Sequence, residues 1–119
     1  MVNLEQAVEQ FKKVMQKQLA RVEKMKADTE ATDFTKKQKV VIGICGGDGI
    51  GPVITHEAER VLRFLLKEEV DAGKIEFKEI DGLTIENRVA HMKAIPDNVL
   101  AELKECDVIL KGPTTTPKA

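Results

Sequence analysis

The chain has 119 residues, 42% of them hydrophobic, which fits one small domain with an ordinary core. Its net charge of −1 gives no overall positive field, and an aromatic content of 3%, without Trp or Tyr, gives no obvious stacking platform for nucleic acid. No apolar segment approaches the roughly 20 residues that cross a bilayer, so we expect neither nucleic-acid nor membrane partners.

An apolar stripe predicts an amphipathic helix from about Asn3 to Ala27. Asn3 is its predicted N-cap, and Gln6, three residues later, can complete a capping box with it. The stripe steps alternately by four and three residues: Leu4, Val8, Phe11, Met15, Gln18, Val22 and Met25. Such a stripe serves equally for a helix packed on its own domain or for a coiled-coil arm that joins chains, and both interpretations stay open. The following stretch, ADTEATDFTKKQK, loses the pattern and predicts a linker.

The acidic residues of this segment bear on localisation. An amphipathic N-terminus is typical of organelle transit peptides, but Glu5, Glu9 and Glu23 oppose their usual shortage of acids. The segment also lacks the apolar core of a secretory signal. We therefore expect a cytoplasmic protein, with the mitochondrial matrix as the alternative. Cys45 and Cys106 lack the spacing of a zinc site, and both are predicted to be reduced, buried and structural.

From Lys39 onward, the pattern predicts alternating strands and helices. VVIGIC predicts a central strand covered on both faces, and IEFKEI and CDVIL predict two more strands. The helix after the first strand has an apolar face made of Ile54, Ala58, Val61, Leu62, Leu65 and Leu66. Residues 83–95 predict a short helix or loop, and Asp97 is the predicted cap of the helix NVLAELKE.

Alternating strands and helices predict a parallel sheet with right-handed crossovers, and therefore an α/β fold. We divide the chain into a helical arm with its linker, residues 1–37, and an incomplete α/β domain, residues 38–119.

The loop GGDGIGP, residues 46–52, joins the carboxyl end of a strand to the N-terminus of a helix, where open α/β sheets bind ligands. Its glycines follow GxxGxG rather than GxGxxG, and no GK[ST] ends it, so neither standard phosphate fingerprint fits. The alternative is a tight turn in which Asp48 bonds to the backbone of its own loop.

A second loop, KGPTTTP at residues 111–117, follows the strand CDVIL. In a parallel sheet it emerges at the same edge as the glycine loop, so the two are expected to line one cleft. Its hydroxyls and lysine suit a carboxylate, a ribose or a carboxamide. The alternative is a turn that the prolines and threonines only stiffen, with Lys111 as a solvated strand end.

Together, GGDGIGP, KGPTTTP and the intervening IPDNVLAELKECDVILKGP resemble the opening part of the isocitrate/isopropylmalate dehydrogenase family, from about Lys39 to Ala119. The threonine run resembles the isocitrate branch more than the isopropylmalate branch. This resemblance implies NAD- or NADP-dependent oxidative decarboxylation of a 2-hydroxy acid with a β-carboxylate, isocitrate in particular, assisted by Mg²⁺ or Mn²⁺. Val53 departs from the family, which usually has Glu at that position.

The resemblance also implies roles for individual residues. It places Thr115 and Thr116 near the substrate and the nicotinamide, with Lys111 and Thr114 supporting that loop. The implied substrate-binding residues are Lys111, Thr115 and Thr116. The implied cofactor-binding residues are Asp48, Gly49, Ile50, Gly51, Thr114 and Thr115. The family's catalytic Tyr and Lys and its metal-binding Asp residues come later in its sequence, so no catalytic or metal-binding residue is assigned within this chain.

Three functions follow as hypotheses. The first is an N-terminal part of a decarboxylating dehydrogenase, active on its small-molecule substrate only with a complementing C-terminal part. The second is a non-catalytic regulatory subunit that binds a nucleotide or a tricarboxylate. The third is an oligomerisation module. A homo-oligomer through the N-terminal helix is compatible with all three.

Overall fold

The computed structural model describes residues 3–116, and its contacts divide the chain into two units, Met1–Asp33 and Phe34–Ala119. In the first unit, α1 spans Leu4–Ala27, and the Asn3 side chain accepts a hydrogen bond from the Glu5 N–H (3.0 Å). The second unit begins before the predicted boundary at residues 37 and 38. Phe34–Lys36 form a short 3₁₀ helix, and Lys37 pairs with Asp107 in this unit.

The α/β unit is built on three parallel strands, which confirms the predicted fold class. They are β1 (Val40–Cys45), β2 (Ile75–Glu79) and β3 (Val108–Lys111), in the order β2-β1-β3. The helices α2 (Gly51–Leu65) and α3 (Lys67–Asp71) connect β1 to β2. The helices α4 (Ile85–Ala90) and α5 (Asp97–Glu105) connect β2 to β3. β1 is therefore the central strand, as its unbroken apolar run predicts.

The core lies towards the carboxyl ends of the strands. Along β1, the residues change from half-buried to buried between Ile42 and Gly43. The buried hydrophobic cluster consists of Cys45, Ile80, Leu83 and Val99, with Leu103 and Cys106 packed against it. The loop that follows β1 thus starts from the best-packed part of the sheet.

The predicted apolar face of α2 is present but largely exposed, because no element in the described part of the chain covers Ile54, Val61 or Leu65. Two predictions fail in detail. Asp97 does not cap α5, because Pro96 occupies the N-cap position and Asp97 already lies in the first turn. Cys45 is buried as predicted, but Cys106 is only half-buried. Both cysteines are free thiols, and desolvation raises the pKa of each.

The α4 helix at residues 85–90 confirms the short helix predicted within residues 83–95. On α2, Arg63 and Glu59 form an ion pair one turn apart (2.6 Å). Among residues 3–116, no helix combines the length and the apolar character needed to span a membrane.

Val99→Ala should destabilise the α/β unit by about 2 kcal/mol, because it removes two methyl groups from a filled core. Val99 is only 1% exposed. The same change at Val61, which is 58% exposed on α2, is the matched control and should alter the free energy of unfolding by less than about 0.5 kcal/mol. Urea unfolding followed by circular dichroism measures both. Equal effects would contradict the assignment of the core.

Candidate functional site

The glycine loop and the threonine loop are in direct contact at the carboxyl edge of the sheet. The N–H of Gly112 donates to the carbonyl of Cys45 (2.7 Å), and the N–H of Asp48 donates to the carbonyl of Pro113 (2.8 Å). This follows from the parallel pairing of β1 with β3, which brings both loops to the same edge. The two loops thus emerge at the same edge as expected, but the shared cleft is not confirmed, because the cavity beside the glycine loop is lined by none of the described residues of the threonine loop. Pro117, at the end of the second loop, is outside the described residues.

Asp48 joins three loops. One carboxylate oxygen accepts the N–H of Ile85 (2.7 Å), and the other accepts the N–H of Thr115 (2.8 Å). These two backbone hydrogen bonds hold the pKa of Asp48 below its ordinary value. The prediction that its side chain bonds within its own loop is wrong. The backbone carbonyl of Asp48 makes the local bond instead, accepting from Gly51 (2.9 Å).

The glycines of this site allow one backbone to approach another. A Cβ on Gly47, whose φ is 74°, would overlap the carbonyl oxygen of Pro113. A Cβ on Gly51 or on Gly112 would overlap the carbonyl oxygen of Gly46. The inner side of the glycine loop is therefore filled by the threonine loop and does not form an anion cradle.

Gly49 and Ile50 form the outer rim of the glycine loop. A Cβ on Gly49 would meet no atom within 4 Å, and the side chain of Ile50 is exposed. Of the four glycine-loop residues assigned to the cofactor by the resemblance, these two lie open to solvent, whereas Asp48 is half-buried and Gly51 is buried.

The threonine loop is held from both sides of Thr115. Asp48 binds its N–H, and the Arg88 guanidinium donates to its carbonyl (2.8 Å) and to that of Ala94 (2.8 Å). The Lys111 ammonium donates to the carbonyl of Gly112 (2.9 Å) and to the hydroxyl of Thr114 (3.3 Å). Lys111 thus supports the loop, while the side chains of Thr115 and Thr116 are exposed.

Arg88 is a site residue that the sequence analysis missed. It lies on the short helix α4, 27 residues before its Thr115 partner. An arginine on a short polar helix is ordinarily a solvated residue, so no local pattern indicates this contact.

A cavity of about 360 Å³, which the sequence does not predict, adjoins the glycine loop. Its lining includes Gly46, Gly47, His56 and Thr84. Its acidic lining residues are Glu59, Glu79 and Asp81. Glu59 is compensated by its ion pair with Arg63, so Glu79 and Asp81 are the carboxylates whose charge disfavours a pyrophosphate. Both can accept hydrogen bonds from hydroxyl groups. His91, the other histidine, is exposed, with Nδ1 2.8 Å from the Asn87 carbonyl.

The described residues do not form a metal site. Among residues 3–116, no group of three His, Cys, Asp or Glu side chains is placed to hold a metal ion. The described part of the chain therefore does not fit Mg²⁺ or Mn²⁺ by itself, since both need several oxygen ligands.

The sequence pattern of the isocitrate/isopropylmalate dehydrogenase family matches residues 41–119. The chain belongs to this family. The matched segment includes both contacting loops and all three strands of this isocitrate/isopropylmalate dehydrogenase fold except the first residue of β1. The helix α1 lies outside it.

Several curated relatives are 3-isopropylmalate dehydrogenases. The Staphylococcus saprophyticus protein is 38% identical over 72 residues, which cover 60% of this chain and 20% of the relative. The Colwellia psychrerythraea protein is 37% identical over 83 residues (65% and 20%), and a Vibrio vulnificus protein is 31% identical over 87 residues (73% and 22%). No solved structure gives a significant match.

The chain spans about one fifth of the length of these relatives. The relatives do not support the isocitrate branch that the threonine run resembles, since those named here are all 3-isopropylmalate dehydrogenases.

Proposed function

We propose that the α/β unit supplies one wall of the substrate and nicotinamide site of a decarboxylating dehydrogenase. The observation that carries the proposal is the threonine loop, whose backbone is fixed at Thr115 on both its N–H and its carbonyl while the Thr115 and Thr116 side chains are exposed. Polar groups held in place before binding lose little entropy when a ligand arrives. The proposed ligand is a 2-hydroxy acid with a β-carboxylate.

The cofactor proposal rests on the outer rim of the glycine loop. NAD or NADP would accept the hydride of the substrate, and Gly49 and Ile50 would border the dinucleotide because they are the open part of the loop. Asp48 would act as a positioning residue, since both its carboxylate oxygens are engaged by backbone N–H groups. An exposed rim contacts a dinucleotide on one side only, so a complementing polypeptide would close the site.

The substrate proposal stays at the level of a class. Isocitrate and 3-isopropylmalate share the hydroxyl and the carboxylates that Thr115 and Thr116 would bind, and they differ in carrying a third carboxylate or an isopropyl group. The resemblance of the threonine run favours isocitrate, whereas the relatives from Staphylococcus saprophyticus and Colwellia psychrerythraea are 3-isopropylmalate dehydrogenases. Any metal ion would be held by the complementing part, because the described residues offer no ligand set.

NMR titration of the chain tests this binding role. With 3-isopropylmalate or isocitrate we expect shifts in the amides of Thr115 and Thr116, and with NAD or NADP in those of Gly49 and Ile50. Removing both hydroxyls in Thr115→Ala/Thr116→Ala should weaken acid binding about tenfold, since each lost hydrogen bond costs about 0.5–1.5 kcal/mol. Thr29→Ala/Thr32→Ala, in the linker, is the matched control. Shifts confined to other residues would contradict the proposal.

A reconstitution assay separates an enzyme part from a regulatory subunit. The chain would be mixed with the part of the Staphylococcus saprophyticus relative that follows its matched segment, with substrate, NAD and Mg²⁺. NADH formation that requires both polypeptides, and that is lost with Thr115→Ala/Thr116→Ala, supports the enzyme role. Ligand binding without turnover in the mixture would favour the regulatory subunit instead.

A further inference from the structure

The helix α1 presents an apolar stripe that its own unit does not cover. None of its residues, all of which the structure describes, is buried. Leu4 is 75% exposed, Phe11 65% and Met25 61%. In water, a helix gains most of its stability from packing an apolar face, so a helix of 24 residues with nothing on its stripe is marginal. This face needs an occupant, independently of the function proposed above.

The stripe has the spacing of a coiled-coil seam. The core positions fall into two sets that alternate along the helix: Val8, Met15 and Val22 at the a positions, and Leu4, Phe11, Gln18 and Met25 at the d positions. A repeat of 3.5 residues keeps such a seam facing a second helix along its whole length. The pattern thus favours another helix as the occupant rather than a sheet or a loop.

The charges beside the seam select the orientation of that second helix. If two copies of α1 ran parallel, Arg21 of each would face Lys26 of the other, and no oppositely charged pair would compensate. If they ran antiparallel, Glu5 of each would face Lys26 of the other, and Lys12 would lie beside Leu19. The antiparallel arrangement therefore has two attractive pairs and no repulsive one.

We propose that α1 forms an antiparallel coiled coil with α1 of a second copy of this chain. In the antiparallel arrangement, Phe11 packs opposite Val22, Val8 opposite Met25, and Met15 opposite Gln18. Gln18 accepts a hydrogen bond from Arg21 of its own helix (3.4 Å), so its amide oxygen has a partner at the seam. Lys26 pairs with Glu23 (3.1 Å) in an exposed contact that is worth little and does not prevent its pairing with Glu5 of the other copy.

Mixing two charge-reversed full-length chains tests the orientation. In Glu5→Lys and in Lys26→Glu, each antiparallel homodimer would contain two repulsive pairs, whereas the heterodimer would contain two attractive ones. We expect the heterodimer to be about tenfold more stable than the homodimers. In parallel copies, positions 5 and 26 lie about 31 Å apart and give no such preference. Native mass spectrometry of the mixture, with one chain isotopically labelled, measures the heterodimer fraction.

The control mixture uses Glu9→Lys and Lys24→Glu, which change the net charges equally but lie outside the seam. The proposal is supported if heterodimers exceed the statistical proportion in the first mixture but not in the control mixture. Equal preference in both mixtures, or none in either, overturns the antiparallel arrangement.

The seam itself is tested by sedimentation equilibrium of the full chain. Phe11→Asp should make the chain monomeric, and Gln10→Asp, its neighbour off the seam, should leave the dimer intact. A wild-type chain that is monomeric, or a Phe11→Asp chain that still associates, overturns the proposal. The second result would assign self-association to the α/β unit, whose α2 face is also exposed.

Discussion

Gly47→Ala is expected to destabilise the α/β unit by about 2–5 kcal/mol. An alanine at φ 74° carries the left-handed backbone penalty of about 1–2 kcal/mol. Its Cβ would also overlap the Pro113 carbonyl oxygen, and relieving such a clash costs about 1–3 kcal/mol more. Because that carbonyl accepts the Asp48 N–H, the relief would separate the two loops. Urea unfolding at neutral pH measures the loss.

Two other glycines separate the two causes. Gly49→Ala adds a Cβ at φ 58° with nothing within 4 Å, so it should cost only about 1–2 kcal/mol. In Gly112→Ala the new Cβ would overlap the Gly46 carbonyl oxygen, but the φ of this residue is not positive. The substitution should therefore lower the free energy of unfolding by the cost of the steric clash alone, about 1–3 kcal/mol. If Gly47→Ala is no worse than Gly49→Ala, the loops are not packed as closely as described.

Asp48→Ala is expected to lower the melting temperature by several degrees and to release the threonine loop. The substitution leaves the N–H groups of Ile85 and Thr115 without their carboxylate acceptor. Faster amide hydrogen exchange at Thr115 and Ile85, with little change in β1, would mark the release. Asp81→Ala, which removes an exposed carboxylate from the same unit, is the control. Unchanged exchange at both amides in Asp48→Ala would contradict the role of Asp48.

The same contacts make the stability depend on pH. The pKa of Asp48 is lowered in the folded state by the Thr115 and Ile85 N–H groups. Its stabilising contribution is therefore complete above the unfolded pKa of about 4 and is lost as the pH falls through the lower folded value. The free energy of unfolding, measured from pH 6 to pH 2, should decrease less steeply in Asp48→Asn than in the wild type. Some acid dependence should remain, because Asp107, bonded to Lys37 and to the Val41 N–H, also has a lowered pKa.

The order of the elements and the meeting of the two loops could be predicted because both follow from local patterns. An unbroken apolar run specifies a buried parallel strand, and parallel strands bring their following loops to one edge. The roles of individual residues could not be predicted in this way. The carboxylate of Asp48 accepts hydrogen bonds from Ile85, which is 37 positions further along the chain, and from Thr115, which is 67 positions further. Local spacing in the sequence does not encode such contacts.

The exposure of α2 marks a different limit. Periodicity identifies Ile54, Val61 and Leu65 as one apolar face, but it cannot show whether this chain contains the surface that covers them. The glycines were ambiguous for a related reason, since the same residue permits a positive φ, as at Gly49, or a close backbone approach, as at Gly112.

The triple attachment of Asp48 has a thermodynamic consequence. One carboxylate bridges the turn after β1, the start of α4 and the backbone of Thr115, so a displacement of any of these strains the other two. If the two loops bind these ligands as proposed, a dinucleotide that orders the first turn would raise the affinity of the threonine loop for the acid, and by linkage the acid would raise the affinity for the dinucleotide by the same factor. The Asp48 carboxylate would then carry part of the cooperativity between the two ligands, beside the backbone hydrogen bonds that also join the two loops.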